Sequence, residues 1–160
     1  MTHALETPGA PALAVRVLHA EEGGRLNVMG SDTLVKLPGV DTGGAMSMFV
    51  VTASPGDGVP MHTHTREDEL FYVLEGRIRF DTGGESTVAG PGATAFLPRS
   101  VAHAWFAEGD TPTRAIIMTL PGTFDAFFAE IACPPGERPD MAAVVRTCER
   151  YGITFAPPSA

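Results

Sequence analysis

Short β-favouring runs divided by Gly and Pro constrain this chain most. Between Leu13 and Pro121 the punctuation falls at Pro38-Gly39, Gly43-Gly44, Pro55-Gly56-Asp57-Gly58, Glu75-Gly76 and Gly83-Gly84. Runs of this length, closed by residues that turn the backbone, read as strands of a sandwich or barrel. The 18 Gly and 14 Pro among 160 residues exceed average usage but stay below the level that signals disorder.

The pattern predicts strands at Thr33–Leu37, Ala45–Ala53, Glu67–Glu75, Arg77–Asp81, Ser86–Val88, Thr94–Leu97, Ala102–Ala107 and Thr113–Leu120. A weaker alternation, Leu13, Val15 and Val17, suggests one more. Residues 1–11 read as a flexible arm, 12–121 as strands and barrel, and 122–152 as C-terminal helices, all in one domain. In the last segment Phe124, Phe127, Phe128 and Ile131 recur at helical spacing behind Thr123, a suitable N-cap. They are expected to be a docking face rather than a substrate box. A second helix follows, with Asp140 as cap, Met141, Val144, Val145 and Cys148 as stripe, and Gly152 as stop.

The net charge of −8 excludes sequence-independent binding of nucleic acid, which needs surplus Lys and Arg. No apolar stretch approaches the roughly 18–20 residues that span a bilayer, and the N-terminus lacks the pattern of a signal peptide. A cytoplasmic location without membrane contact is therefore expected. Cys133 and Cys148 fit no zinc spacing and are expected to be unpaired.

Three of the five histidines fall in two short segments. His62 and His64 are two apart, so on a strand both imidazoles leave the same face, about 6.6–6.8 Å apart along the chain. Glu69 follows at the start of the next strand, and His103 follows Pro98-Arg99-Ser100 on another. Three imidazoles and a carboxylate inside an apolar barrel cost several kcal/mol unless paired or ligated, which points to one divalent transition metal: Fe, Mn, Ni, Co, Cu or Zn. Asp68 is an alternative to Glu69 for the carboxylate position. Glu67 and Asp68 are otherwise expected to be solvated or to meet Arg66. His3 and His19 receive no role.

These residues resemble the cupin superfamily. Its first motif, G-x5-H-x-H-x3,4-E-x6-G, is matched by Gly56, His62, His64, Glu69 and Gly76. Its second, G-x5-P-x-G-x2-H-x3-N, is matched by Gly92, Pro98 and His103, but Ser100 replaces the second glycine and Ala107 the asparagine. The resemblance implies an all-β fold: a small double-stranded β-helix, or jelly-roll barrel, with the metal inside, here followed by two short helices.

The run H-T-H-T-R-E-D-E-L-F-Y-V-L-E-G, then L-P-R-S-V-A-H-A-W, looks like the quercetinase-like group of single-domain bacterial cupins. That likeness implies a dioxygenase acting on an enol-containing aromatic or other apolar small molecule, with His62, His64 and His103 as ligands and Glu69 as ligand and base. Phe71, Val73 and Trp105, in register with the ligands, and Met46, Met48 and Met118 are expected to line the pocket. An isomerase or decarboxylase of a small polar acid is the alternative, and needs a cation from Lys36, Arg77, Arg99 or Arg114. A non-catalytic small-molecule binder is the third reading. The two-sided apolar strand Leu70–Leu74 suggests a homodimer.

Overall fold

The computed structural model describes residues 13–137 and 139–156, so the expected arm at 1–11 lies outside the described residues. Among the described residues eleven strands run in chain order: β1 (Gly24–Val28), β2 (Ser31–Leu37), β3 (Ser47–Ala53), β4 (Gly58–His64), β5 (Asp68–Glu75), β6 (Ile78–Thr82), β7 (Glu85–Ala89), β8 (Thr94–Leu97), β9 (His103–Ala107), β10 (Thr113–Leu120) and β11 (Ile153–Phe155). Helices α1 (Phe124–Ile131) and α2 (Met141–Tyr151) lie between the last two strands.

The strands form two antiparallel sheets, β1-β2-β3-β10-β5-β8 and β11-β4-β9-β6-β7. Alternation decides which residues face inward. In β3 the buried set is Ser47, Phe49, Val51 and Ala53; in β5 it is Glu69, Phe71 and Val73. Phe71, on the first sheet, packs its ring 5.2 Å from Phe80 and 5.6 Å from Trp105, both on the second. Burying side chains such as Phe49 and Phe71 contributes roughly 1.5–3 kcal/mol each.

The expected strand at Leu13–Val17 does not form. That stretch is exposed, with Val15 94% accessible, so its alternation has no sheet to face. Three strands lie outside the eight predicted, among them β4, which carries the histidine pair. β1 joins β2 through Met29-Gly30, both at positive φ, a two-residue hairpin without the usual Asn-Gly signal. β11 has only three residues and pairs with β4 over His62–His64.

Asp140 caps α2 as expected, accepting from the Ala142 N–H at 3.0 Å, and Gly152 ends it in the left-handed conformation. Thr123 does not cap α1 with its side chain; its hydroxyl is used elsewhere. Among the described residues no helix is long and apolar enough to cross a membrane.

Candidate metal centre

β4 carries His62 and His64 inward, and β9 opens with His103, which sits opposite His62 in the antiparallel ladder. Glu69 comes from the other sheet as the first inward residue of β5. The four side chains therefore meet between the sheets, exposed by only 4% (His62), 2% (His64), 4% (Glu69) and 1% (His103), too little for water to solvate them.

His62 Nε2 lies 2.9 Å from His64 Nε2, and Glu69 Oε2 lies 3.4 Å from His103 Nε2 and 4.0 Å from His64 Nε2. The four donor atoms all fall within 4.8 Å of one another. A divalent ion with bonds of about 2.0–2.2 Å separates its donors by roughly 2.8–4.4 Å, close to these spacings, and this group could hold one after a small contraction.

The outer ring nitrogens support the same orientation. The Nδ1–H of His62 donates to the Pro60 carbonyl at 2.8 Å, and that of His103 to the Val101 carbonyl at 3.0 Å. A carbonyl only accepts, so both rings carry their proton on Nδ1 and turn an Nε2 lone pair inward. Glu69 Oε2 and His103 Nε2 are buried and have no hydrogen-bond partner among the described residues, the condition a bound cation would relieve.

Burial drives the His62 pKa down to about 4 against the pull of Glu69, with His64 and His103 adding to the fall. Burial also lowers His64, again opposed by Glu69. Burial acts to raise Glu69, but the His103 ring 3.4 Å away and the neighbouring His64 and His62 rings outweigh that and hold it low. At neutral pH the site thus offers uncharged His62 and His64 rings beside a carboxylate.

A cavity of about 110 Å³ adjoins the site, with His62, His64 and Glu69 among its walls. Val51, Val59, Trp105 and Ile117 line it from the strands, and Phe124, Phe127, Phe128, Ile131 and Val144 from the helices. The three phenylalanines are thus both docking face and cavity wall.

Residues 49–119 match the profile of the family described as "Cupin domain". This is a cupin. Rice germin-like protein 5-1 is 33% identical over 124 residues, covering 71% of this chain and 54% of the relative. Quercetin 2,3-dioxygenase of Bacillus subtilis (strain 168) is 26% identical over 157 residues, covering 97% of this chain and 45% of the relative. The chain therefore spans about half the length of these curated relatives. The solved structure of KdgF from Halomonas sp. superposes with a TM-score of 0.54 at 21% identity, covering 61% of this chain and 84% of that one, and shows the shared fold.

The two departures from the second cupin motif have structural answers. Ser100 keeps the left-handed backbone of the glycine it replaces, at φ 67°, and its N–H donates to the His64 carbonyl at 2.7 Å. Where the asparagine would stand, the Ala107 backbone closes the neighbouring turn, accepting from Gly56 N at 2.9 Å and donating to Asp57 O at 2.8 Å. The motif glycine Gly76 sits at φ 70°, and a Cβ there would lie 2.8 Å from the Pro112 carbonyl oxygen.

Several expectations need correction. Of the six proposed lining residues only Trp105 borders the cavity. Phe71 and Val73 point inward but are consumed in the core. Met48 and Met118 are register partners on the outer face of their sheet, the opposite parity to Phe49 and Ile117. Met46 precedes β3, where its backbone carbonyl accepts from Thr42. Asp68 leaves the carboxylate position to Glu69. It forms three hydrogen bonds with Arg99, at 2.7–3.0 Å, that take its carboxyl down to about 2.

Glu67 is not solvated. It is 1% exposed, accepts from the Thr123 hydroxyl at 2.7 Å, and lies 4.0 Å from His64 Nδ1. Cys133 and Cys148 are unpaired, and Cys148, buried at the cavity, has its thiol pushed up to about 11 by that burial.

Proposed function

We propose that this cupin is a metal-dependent, quercetinase-like dioxygenase acting on an enol-bearing aromatic or other apolar small molecule. The observation that carries the reading is a three-His, one-Glu donor set opening on a cavity with apolar walls and no Lys or Arg among its described lining. A divalent transition metal bound by His62, His64, Glu69 and His103 would hold the enol oxygen and lower its pKa.

The chain's own groups supply the rest. Glu69 Oε2 faces the same centre and is placed to take the enol proton as general base. The phenylalanines of α1 and the strand-borne Val51, Val59 and Ile117 exclude water and fit a flat apolar body. At about 110 Å³ the cavity is below the roughly 300–1,000 Å³ of drug-sized sites, which favours compact members of that substrate class.

None of the four cations named for the polar-acid alternative lines the cavity. Lys36 is tied to the carbonyls of His19, Ala20 and Glu22, Arg99 to Asp68, Arg114 lies 3.8 Å from Glu75, and Arg77 is exposed. The same reading includes a homodimer through the outward face of β5 and β8, where Tyr72 and Phe96 are exposed; a monomer in sedimentation equilibrium removes that part.

The deciding experiment loads the protein with each candidate metal under anaerobic conditions and adds a panel of enols from single-ring compounds to flavonols. The reading expects a spectral shift of the enol on binding and turnover only when oxygen is admitted. Full metal loading without turnover of any enol overturns it.

A further inference from the structure

Glu67 is a buried carboxylate that the cupin motif does not call for. Its Oε1 accepts from Thr123, whereas its Oε2 has no partner among the described residues. The atom that Oε2 faces, His64 Nδ1 at 4.0 Å, also has none. The other two histidines of the site are different, because backbone carbonyls two residues upstream fix their Nδ1 protons. His64 is the ring whose outer nitrogen faces a side chain instead.

A metal at Nε2 of His64 needs a lone pair there, so the single ring proton must sit on Nδ1, facing Glu67. A small approach then closes an Nδ1–H···Oε2 hydrogen bond.

We propose that Glu67 is the positioning residue for His64, selecting the tautomer that presents Nε2 to a metal and holding the ring in that orientation. Thr123 holds Glu67 in turn, and Thr123 immediately precedes α1, whose Phe124 ring lies 5.2 Å from the His64 ring. The docked helix thereby braces a site that it does not itself enter with a ligand. The proposal rests on the metal reading of the four-donor site. Outer partners of this kind govern metal affinity by about 10–100-fold.

The test measures Zn(II) affinity by chelator competition, with nitrogen-15 NMR of the histidine rings, on wild type, Glu67→Gln and Glu67→Ala. In zinc-loaded wild type the His64 proton should reside on Nδ1, hydrogen-bonded and slow to exchange. Glu67→Gln keeps a carbonyl acceptor at the same place and should stay close to wild type in both readouts. Glu67→Ala should lose the protected proton and bind zinc about 10–100-fold more weakly. Wild-type affinity in Glu67→Ala, or a Gln variant as weak as Ala, overturns the proposal while leaving the metal site intact. If Glu67→Ala does not fold, a His64 proton on Nε2, or an unprotected Nδ1 proton, in zinc-loaded wild type overturns it alone. A wild type that binds no zinc or other divalent metal removes the metal reading itself.

Discussion

His62 and His103 face each other across the β4–β9 ladder, with ring centroids 4.5 Å apart and planes at 68°. Two residues 41 positions apart in sequence are thereby fixed by backbone pairing rather than by loop conformation. His62→Ala and His103→Ala should each abolish stoichiometric metal while leaving the ladder intact. Elemental analysis of the purified variants, with circular dichroism as folding control, checks this; unchanged metal content would mean the donor assignment is wrong.

Glu69 separates binding from chemistry. Glu69→Gln preserves the shape and one oxygen but removes the base, so it should keep much of the metal and lose turnover by about 10²-fold or more. Metal content and initial rate, measured on the same preparation, test the split. Equal loss of both would reduce Glu69 to a ligand.

The acid side of the stability profile carries the signature of the buried histidines. The His62 pKa falls from 6.5 to about 4 on folding, so between those values the unfolded chain binds more protons and stability rises with pH. On acidification the metal-free protein should lose of order 3 kcal/mol across that window from His62. His64 is shifted in the same sense. Glu69, held low, adds its loss as pH falls below the ordinary carboxylate range. Urea midpoints from pH 7 to 4 measure this, and a flat profile would show that the rings are solvated.

Ser100 occupies left-handed backbone, which costs an L-residue roughly 1–2 kcal/mol. Ser100→Gly relieves that strain, less about 0.4–1 kcal/mol from added freedom of the unfolded chain. A net gain of about 0.5–1 kcal/mol is expected in chemical denaturation, with the bond to the His64 carbonyl retained. A loss of stability would show that the serine side chain stabilises the turn.

Phe127 anchors α1, its ring 4.9 Å from Phe124, 5.7 Å from Phe128 and 5.3 Å from Tyr151 of α2. Phe127→Ala should cost about 3–5 kcal/mol and enlarge the cavity. Urea denaturation gives the first quantity. Tighter binding of a bulkier enol than in wild type reports the second.

What could be read in advance follows the range of each cause. The His62/His64 parity and the Gly83-Gly84 hairpin are local, and both appear in the structure. Alternation cannot say whether Met48 and Met118 face inward, because both faces of β3 and β10 are apolar. Glu67 lies in a charged Glu-Asp-Glu run that reads as solvated, and the hydrogen-bond partner of its carboxylate is Thr123, 56 residues on. Thr123 reads as a helix cap for the same reason: its true partner is distant.

The three residues of β11 have a consequence for assembly. They lie beside β4 on the side away from β9, so the strand bearing two histidines is interior only because the chain returns to cover it. A chain ending at Gly152 would keep all four donors yet leave that strand with a bare row of amides and carbonyls, open to recruitment by another molecule. Solubility would then fail before metal binding did, and the fault would look like aggregation rather than a damaged site.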